Sequence, residues 1–394
     1  NDLNVIYFYQ KGERGENLKN EFINLLKKYQ DQSSYVKLEF AEVNERPDLA
    51  AKYGVKEGRG LAFVEYNGRK AKVEDLDEQR ITSAIAKTFR EKDHVVYFTE
   101  GHGERDIMET GQPRGYSGLK TLLEDSKYIA KPLNLVNNGI VPADADVLVI
   151  GGPESAFIES EIKAIEEYLK KGGSVFFALE QKTKHGLDGL LEKIGISVRD
   201  IYVLSVFGQA YGHAFTPINE YGSHTITKPF GKEMVIFKLP GALELKNAPT
   251  GVTVEEIIKT HDGKSSLAVK SLTDKTSGTL DGPFVLGYSA KGKWPKSGTE
   301  VEIPTKDFNL VIYPDADFMA NEHLGKNLNR DLALNSIVYL AKEENMITIT
   351  PKEVGVTKLE MSSVKWLIFL MFIVGLPLGF MIFSGFIWSR RRFA

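Results

Sequence analysis

The chain has 394 residues, no cysteine and a formal net charge of −3. That length predicts two or more domains, because a single hydrophobic core rarely grows so large. The balanced charge argues against nucleic acid as a partner, and the lack of cysteine excludes disulfides, thiolate metal ligands and a cysteine nucleophile.

Residues 1–91 alternate short apolar strands with helices, in the predicted order β-α-β-α-β-β-α. Asn67-Gly68 is typical of the type I′ turn in a hairpin. This order resembles the thioredoxin-like fold, but the segment contains no Cys-x-x-Cys motif. We therefore expect a thioredoxin-like domain that serves as a binding or spacer module without redox activity. Five apolar residues are predicted to form the buried face of its first helix: Leu18, Phe22, Leu25, Leu26 and Tyr29.

Residues 92–345 alternate strands and helices in the manner of a parallel sheet covered on both faces. Between about 200 and 300 the alternation fails, and Gly, Pro, Ser and Thr become frequent. This part is predicted to be a β-rich insertion with loops. Its histidines His213 and His224 are predicted to be surface or turn residues.

Glycines and polar residues follow four predicted strands of this sheet directly. Because ligands bind outside the carboxyl ends of parallel strands, we expect them to gather at one edge and to form a binding site. The residues are Gly101, His102, Gly103 and Glu104; Gly151 and Gly152, followed by Pro153-Glu154; Glu180, followed by Gln181; and Asp315 and Asp317, on either side of Ala316.

The chemistry of this edge is restricted by what its motifs lack. "GHGERD" has Asp106 in place of the third glycine of a dinucleotide cradle, and no G-x-x-x-x-G-K-[ST] motif is present. Ser155 lacks the G-x-S-x-G context of an activated nucleophile. Carboxylates and histidine can bind metals, but at strand ends they more often bond to backbone groups. We therefore expect no catalytic residue, no metal and no cofactor, and a structural or recognition role for the edge.

Residues 346–364 are predicted to be a short tether, and 365–389 a transmembrane helix. The run 366–388 is uncharged and long enough to cross a bilayer. The tail, 390–394, is expected in the cytoplasm, anchored by Arg390, Arg391 and Arg392, with the rest of the chain outside the inner membrane. Six residues are predicted to contact the membrane interface or a permease: Trp366, Gly375, Pro377, Gly379, Gly385 and Trp388.

Several motifs in the same order resemble the gliding-motility-type (GldG-like) auxiliary subunits of ABC transporters. They include "RPDLAAKYGV", "VVYFTEGHGE", "DADVLVIGGP", "EIKAIEEYLKKGGSVFFAL" and "YPDADFMANEHLGKNLNRDLALNSIVYLAKEENMITI", which contains Asn321 as a further candidate binding residue. Tyr313-Pro314 stands where that family more often has a glycine. The resemblance implies a flavodoxin-like sheet domain similar to class I glutamine amidotransferases but without their catalytic residues. Members of the family usually carry an N-terminal span, which would precede Asn1.

The resemblance also implies the function. It indicates a non-enzymatic, extracytoplasmic subunit beside a multi-span permease and a cytoplasmic ATPase, coupling them to an envelope substrate or partner. A second copy of the chain is included among the expected partners. Two alternatives stay open from the residues: a membrane-tethered, amidotransferase-like hydrolase and a ligand-capturing substrate-binding protein.

Overall fold

A computed structural model describes residues 2–55, 59–73, 78–89, 93–205, 215–261, 265–273, 280–295, 306–343 and 375–392, and the statements below concern these residues. The chain divides into two units, Asn1–Thr350 and Pro351–Ala394.

The N-terminal elements follow the predicted order. They form a four-stranded sheet, in which the first strand is parallel to the second and antiparallel to the third. Positive φ angles at Asn67 (50°) and Gly68 (81°) give the hairpin turn the backbone that a type I′ turn requires. The elements are β1 (Leu3–Tyr9), α1 (Glu13–Gln32), β2 (Val36–Glu42), α2 (Pro47–Lys52), β3 (Arg59–Tyr66), β4 (Arg69–Val73) and α3 (Glu78–Phe89), and the sheet order is β2-β1-β3-β4.

The predicted apolar face of α1 packs on this sheet. Phe22 and Leu26 are buried, and Leu18, Leu25 and Tyr29 are partly buried. The ring of Phe22 stacks on that of Tyr7 at 4.7 Å between centroids. Burial of these side chains supplies the main stabilising term of a small sheet domain.

A second, larger region follows. Its strands and helices are β5 (His94–Thr99), α4 (Ser117–Asp125), β6 (Tyr128–Leu133), α5 (Leu135–Asn138), β7 (Ala145–Gly151), α6 (Glu159–Lys170), β8 (Ser174–Ala178), α7 (Asp188–Glu192), β9 (Ile196–Arg199), β10 (Tyr202–Ser205), β11 (Phe215–Ile218), β12 (Glu220–Tyr221), β13 (Val235–Lys238), β14 (Ala242–Leu245), β15 (Val252–Lys259), β16 (Ser266–Val269), β17 (Leu280–Asp281), β18 (Val285–Gly292), β19 (Phe308–Tyr313) and α8 (Asn329–Leu340). Strands β10, β16 and β17 form a three-stranded sheet, β11 and β13 form a two-stranded sheet, and the other strands of this region form one ten-stranded sheet. A short 3-10 helix, Asp317–Met319, follows β19.

The parallel core of the ten-stranded sheet was predicted correctly. Strands of the predicted insertion, however, join the same sheet. Along the order β12-β15-β18-β19-β8-β7-β5-β6, the strands from β19 to β6 are parallel. Strands β12, β15 and β18 belong to the predicted insertion and extend the sheet with antiparallel pairing. The sheet is therefore mixed, because hairpin strands can add to its edge without a crossover helix.

Both faces of the parallel core are covered. Alternate residues of β5 point to opposite sides, so that Val96 and Phe98 join one buried cluster and Val95 and Tyr97 the other. Helices α4 and α8 contribute to the first cluster, and α6 and α7 to the second. This packing holds the strand ends at fixed positions.

One histidine prediction for the insertion is corrected. His224 is only 3% exposed, and its ring packs edge-on against Tyr339 at 4.8 Å. It does precede a turn, because its Nδ1 accepts the amide of Ile226 at 3.2 Å. His213 lies outside the described residues.

The last described helix is α9 (Leu376–Arg392), which contains only part of the predicted span. Trp366, the tether and residues 366–374 lie outside the described residues. Within the described part of the chain, none of the helices combines the length and apolarity needed to cross a membrane.

Candidate functional site

The carboxyl ends of the parallel strands bring the predicted edge residues together. Strands β5, β7, β8 and β19 are neighbours, and backbone hydrogen bonds link the loops that follow them. The amide of Glu154 donates to the carbonyl of His102 at 2.8 Å, and that of Gly152 to Ala178 at 2.8 Å. Gly152 has a φ of +67°, and a Cβ there would lie 2.8 Å from the Cβ of Ala316. Glycine is therefore needed for the β7 and β19 loops to approach each other.

Arg105 lies at the centre of this edge, and its role was missed in the sequence. Its side chain is 3% exposed, and its Nη2 is 2.8 Å from Asp317 Oδ1 and 2.9 Å from Glu180 Oε1. Its Nη1 is 3.4 Å from Glu154 Oε1. The available signal was a single cation within "GHGERD", next to strands that end in carboxylates. A buried guanidinium needs such partners, because it cannot lose its charge.

Two further cations complete the outer side of the cluster. Lys238, at the end of β13, is 3.1 Å from Asp317 Oδ2. Arg114 Nη2 is 2.7 Å from Glu154 Oε1, and both of these side chains are more than half exposed. The three cations thus satisfy the carboxylates of Glu154, Glu180 and Asp317 by pairing within the protein.

Asp315 organises backbone rather than binding another side chain. It is fully buried, and its two carboxylate oxygens accept the amides of Lys238 at 2.6 Å and of Asp317 at 2.7 Å. The next carbonyl, that of Ala316, accepts the hydroxyl of the buried Tyr116 at 2.7 Å. These bonds hold the loop after β19 to β13 and to the β5 side of the sheet.

Burial and neighbouring charges shift the carboxyl groups in different directions. Burial, with the negative charge of Asp317, raises the pKa of Glu180. Burial, with the negative charges of Glu180 and Asp317, raises the pKa of Asp315 well above its usual value. Burial acts to raise the pKa of Asp317 as well, but Arg105 and Lys238 outweigh it and lower that pKa. Of Glu180, Asp315 and Asp317, Asp317 is therefore the one whose ionised form is favoured most.

His102 and Glu104 form a separate, buried group beside α6. His102 Nε2 is 3.0 Å from Glu161 Oε2, and its Nδ1 is 3.6 Å from Glu104 Oε1. The imidazole stacks on the Phe157 ring at 4.1 Å. Glu104 also accepts the backbone amide of His102 at 2.7 Å. The predicted His-x-Glu pair is thus packed into the protein rather than presented to solvent.

The remaining predicted residues have local partners. Asn321 accepts the amide of Gly118 at 2.7 Å and donates to the carbonyl of Gln112 at 2.8 Å, which joins the loop after β19 to the start of α4. Ser155 donates its hydroxyl to the backbone carbonyl of His102 at 3.3 Å. Gly101 (φ +116°) and Gly103 (φ +82°) have a backbone that favours glycine.

The donor set does not form a metal centre in the part of the chain described here. No group of three or more His, Asp or Glu side chains among those residues is placed to hold a metal ion.

Of the residues predicted to contact the membrane or a permease, Gly379 and Gly385 lie on α9, and a Cβ at either position would meet no described atom within 4 Å. Trp388, also on α9, is 63% exposed.

A family model described as "ABC-type uncharacterized transport system", for auxiliary components, matches residues 93–336, more than half of the chain. The chain belongs to this family. It is therefore an auxiliary component of ABC transport. This confirms the general family that the sequence resemblance implied. No curated protein matches the chain.

Three solved structures are similar over part of the chain. The mmIFT52 N-terminal domain is 16% identical, with 62% of this chain and 97% of that one covered and a TM-score of 0.43. A putative ThuA-like protein from Bacteroides uniformis is 10% identical, with coverages of 63% and 90% and a TM-score of 0.35. A putative GMP synthase component from Thermoplasma acidophilum is 10% identical, with coverages of 65% and 98% and a TM-score of 0.33. All three scores are below 0.5, so the functional conclusion rests on the family.

Proposed function

We propose that this chain is a non-enzymatic, membrane-anchored, extracytoplasmic subunit of a gliding-motility-type ABC transporter complex. Its partners are a multi-span permease and a cytoplasmic ATPase, and it couples them to an envelope substrate or another protein. Family membership supports the association with ABC transport components. The finer parts of the proposal rest on the site and on the C-terminal sequence.

The observation that carries the non-enzymatic part is the closed ion cluster around Arg105. Glu180 and Asp317, which follow the central strands, are paired with Arg105 and Lys238 at 2.8 to 3.1 Å. The Ser155 hydroxyl donates to a backbone carbonyl, whereas a nucleophile must donate to a general base. Such a site supports a rigid recognition surface better than it supports bond cleavage.

The membrane-anchored part rests on sequence. Residues 366–388 carry no charge, and three arginines follow Ser389. In the described part, α9 exposes apolar side chains around its surface, with Phe380, Met381 and Ile382 67% to 72% exposed. A helix that exposes large apolar residues in this way is suited to a lipid or protein environment. The thioredoxin-like N-terminal domain would then be a spacer or binding module outside the membrane.

The partner proposal is tested by purifying the full chain from its native membrane in mild detergent after light crosslinking. Mass spectrometry should find a permease and an ATPase in stoichiometric amounts. A matched chain that ends at residue 364 should lose both. Migration of the full chain as a lone protomer, without either partner, would count against the proposal.

Topology and enzymatic activity need separate experiments. Protease added to intact spheroplasts should digest the domains before residue 364, whereas their protection would reverse the proposed orientation. A covalent serine-directed probe should not label the protein. Labelling that disappears in Ser155→Ala would favour the hydrolase instead.

A further inference from the structure

The large sheet domain has two described ends that lie side by side. Its first strand, β5, begins at His94, and the preceding residues lead to the N-terminal sheet. Its last helix, α8, ends at Leu340, shortly before Glu343, and the residues after Glu343 lead to the C-terminal helix. His94 Nε2 is 3.3 Å from Glu343 Oε1. Residues 249 positions apart thus meet where the chain enters and leaves the domain.

Two other side chains extend this contact. His94 Nδ1 is 3.4 Å from Asp146 Oδ2 on β7, and the same oxygen accepts the amide of Val95 at 2.9 Å. Tyr128, on β6, donates its hydroxyl to Glu343 Oε2 at 2.6 Å. The imidazole therefore lies between two carboxylates, each held by a further donor.

The contact is sheltered from solvent. The side chains of His94, Glu343 and Asp146 are only 13%, 14% and 18% exposed, and Tyr128 is 1% exposed. Partly buried polar contacts are screened less by water and salt than contacts on the surface.

The backbone at Glu343 is held by the end of α8. Its amide donates to the carbonyl of Val338 at 3.0 Å, and that of Lys342 to Tyr339 at 3.0 Å. Lys342 has a φ of +63°, the left-handed backbone that commonly ends a helix. A displacement of the chain at Glu343 would therefore act on both the helix end and the His94 side chain.

We propose that four residues form a latch that couples the start of β5 to the end of α8, so that local opening of one end of the sheet domain opens the other. They are His94, Asp146, Tyr128 and Glu343. Under the proposed function, a movement that arrives from the C-terminal helix reaches Glu343 first. The latch passes it to the start of β5, and so to the segment that leads to the N-terminal sheet. Without the latch, the last turn of α8 would fray independently of β5, as helix ends ordinarily do.

The test is hydrogen exchange, followed by mass spectrometry, on the full chain in detergent. Glu343→Ala should speed exchange at the start of β5, and His94→Gln should speed it at the end of α8, each by roughly tenfold. Both readouts lie far in sequence from the substitution. Glu343→Gln keeps an acceptor for Tyr128 but removes the charge that faces His94, so its effect on β5 should be smaller than that of alanine.

The control is Glu220→Ala, which removes an exposed histidine–glutamate contact. Glu220 Oε1 is 3.0 Å from His261 Nδ1, and these side chains are 45% and 41% exposed. It should leave exchange at β5 and α8 unchanged. The proposal would be overturned if each latch variant changed hydrogen exchange only in the element that carries the substitution. It would also be overturned if Glu220→Ala changed exchange at β5 and α8 as much as the latch variants do. If Glu343→Ala unfolds the domain, the comparison of Glu343→Gln with the control decides. The experiment needs no permease, so its result is independent of the copurification result.

Discussion

At the scale of single residues, Arg105 is the side chain on which the strand-end site depends. It is almost fully buried, and its removal would take away the cation that pairs with both Glu180 and Asp317, while Lys238 would still pair with Asp317. Arg114 belongs to the same loop but is 59% exposed. The two arginines therefore separate the effect of a buried ion pair from that of a surface pair.

We predict that Arg105→Met lowers the free energy of unfolding by about 3 kcal/mol, because breaking one side of a buried pair leaves uncompensated charge. Arg114→Met should cost less than about 1 kcal/mol. Urea unfolding of the two variants measures the difference. Adding Asp317→Asn to Arg105→Met should recover part of the loss, and equal costs for the two arginines would contradict this account.

His224 predicts a pH dependence. Burial lowers its pKa to about 4 from 6.5, while Glu255 acts to raise it and Lys291 to lower it. Between these values the unfolded chain binds more protons than the native one. The stability contributed by neutral His224 is therefore complete above pH 6.5 and is lost as the pH falls towards 4, by up to about 3 kcal/mol.

His224→Asn tests this prediction, because asparagine can still accept the amide of Ile226 but does not titrate. The variant should lose about 2 kcal/mol less than the wild type between pH 7 and pH 4.5 in urea unfolding. Burial lowers the pKa of His185 and His323 too, so some acid sensitivity should persist. Identical pH slopes in the variant and the wild type would rule out this role of His224.

At the scale of elements, the end of β7 is shaped by a close approach. A Cβ on Gly151 would lie 2.5 Å from the ring of Tyr116, whose hydroxyl donates to Ala316. The side chain of Tyr116 is fully buried, so that the ring has little room to move. The β7 end, the α4 start and the β19 loop therefore form one packed unit.

We predict that Gly151→Ala destabilises the domain by about 1 to 3 kcal/mol, because the added methyl group displaces Tyr116. Gly189→Ala is the matched control, since a Cβ at that position would meet no described atom within 4 Å outside its own helical backbone and its chain neighbours. It should be neutral or slightly stabilising, because alanine is the better helix former. Thermal unfolding compares the two, and an unchanged midpoint in Gly151→Ala would show that the loop adapts without cost.

At the scale of the whole molecule, the buried clusters separate the N-terminal sheet from the rest. The buried members of two clusters run only from Leu3 to Ala84, and those of the two others begin at Val95 and Val96. The N-terminal sheet thus has its own core among the described residues. This agrees with the predicted boundary between residues 1–91 and 92–345, which remains a prediction.

We predict that residues 1–91, expressed alone, fold into an α/β domain that unfolds cooperatively, because among the described residues their buried clusters take no side chain from beyond Ile85. Circular dichroism and a two-dimensional NMR spectrum would check this. A collapsed fragment without dispersed amide signals would mean that the N-terminal sheet depends on the rest of the chain.

Local patterns in the sequence were enough to predict the N-terminal element order, the Asn67-Gly68 turn, the parallel core and the gathering of strand-end residues at one edge. Each depends on short-range periodicity or on the geometry that all parallel sheets share. The same patterns could not show that Arg105 pairs with Glu180 and Asp317, because partners up to 212 positions away are chosen by loop packing. They also could not show that β12, β15 and β18 join the main sheet, since strand pairing is decided by which edges meet in space. The tertiary structure alone buried His224 and His102, and it alone brought His94 to Glu343.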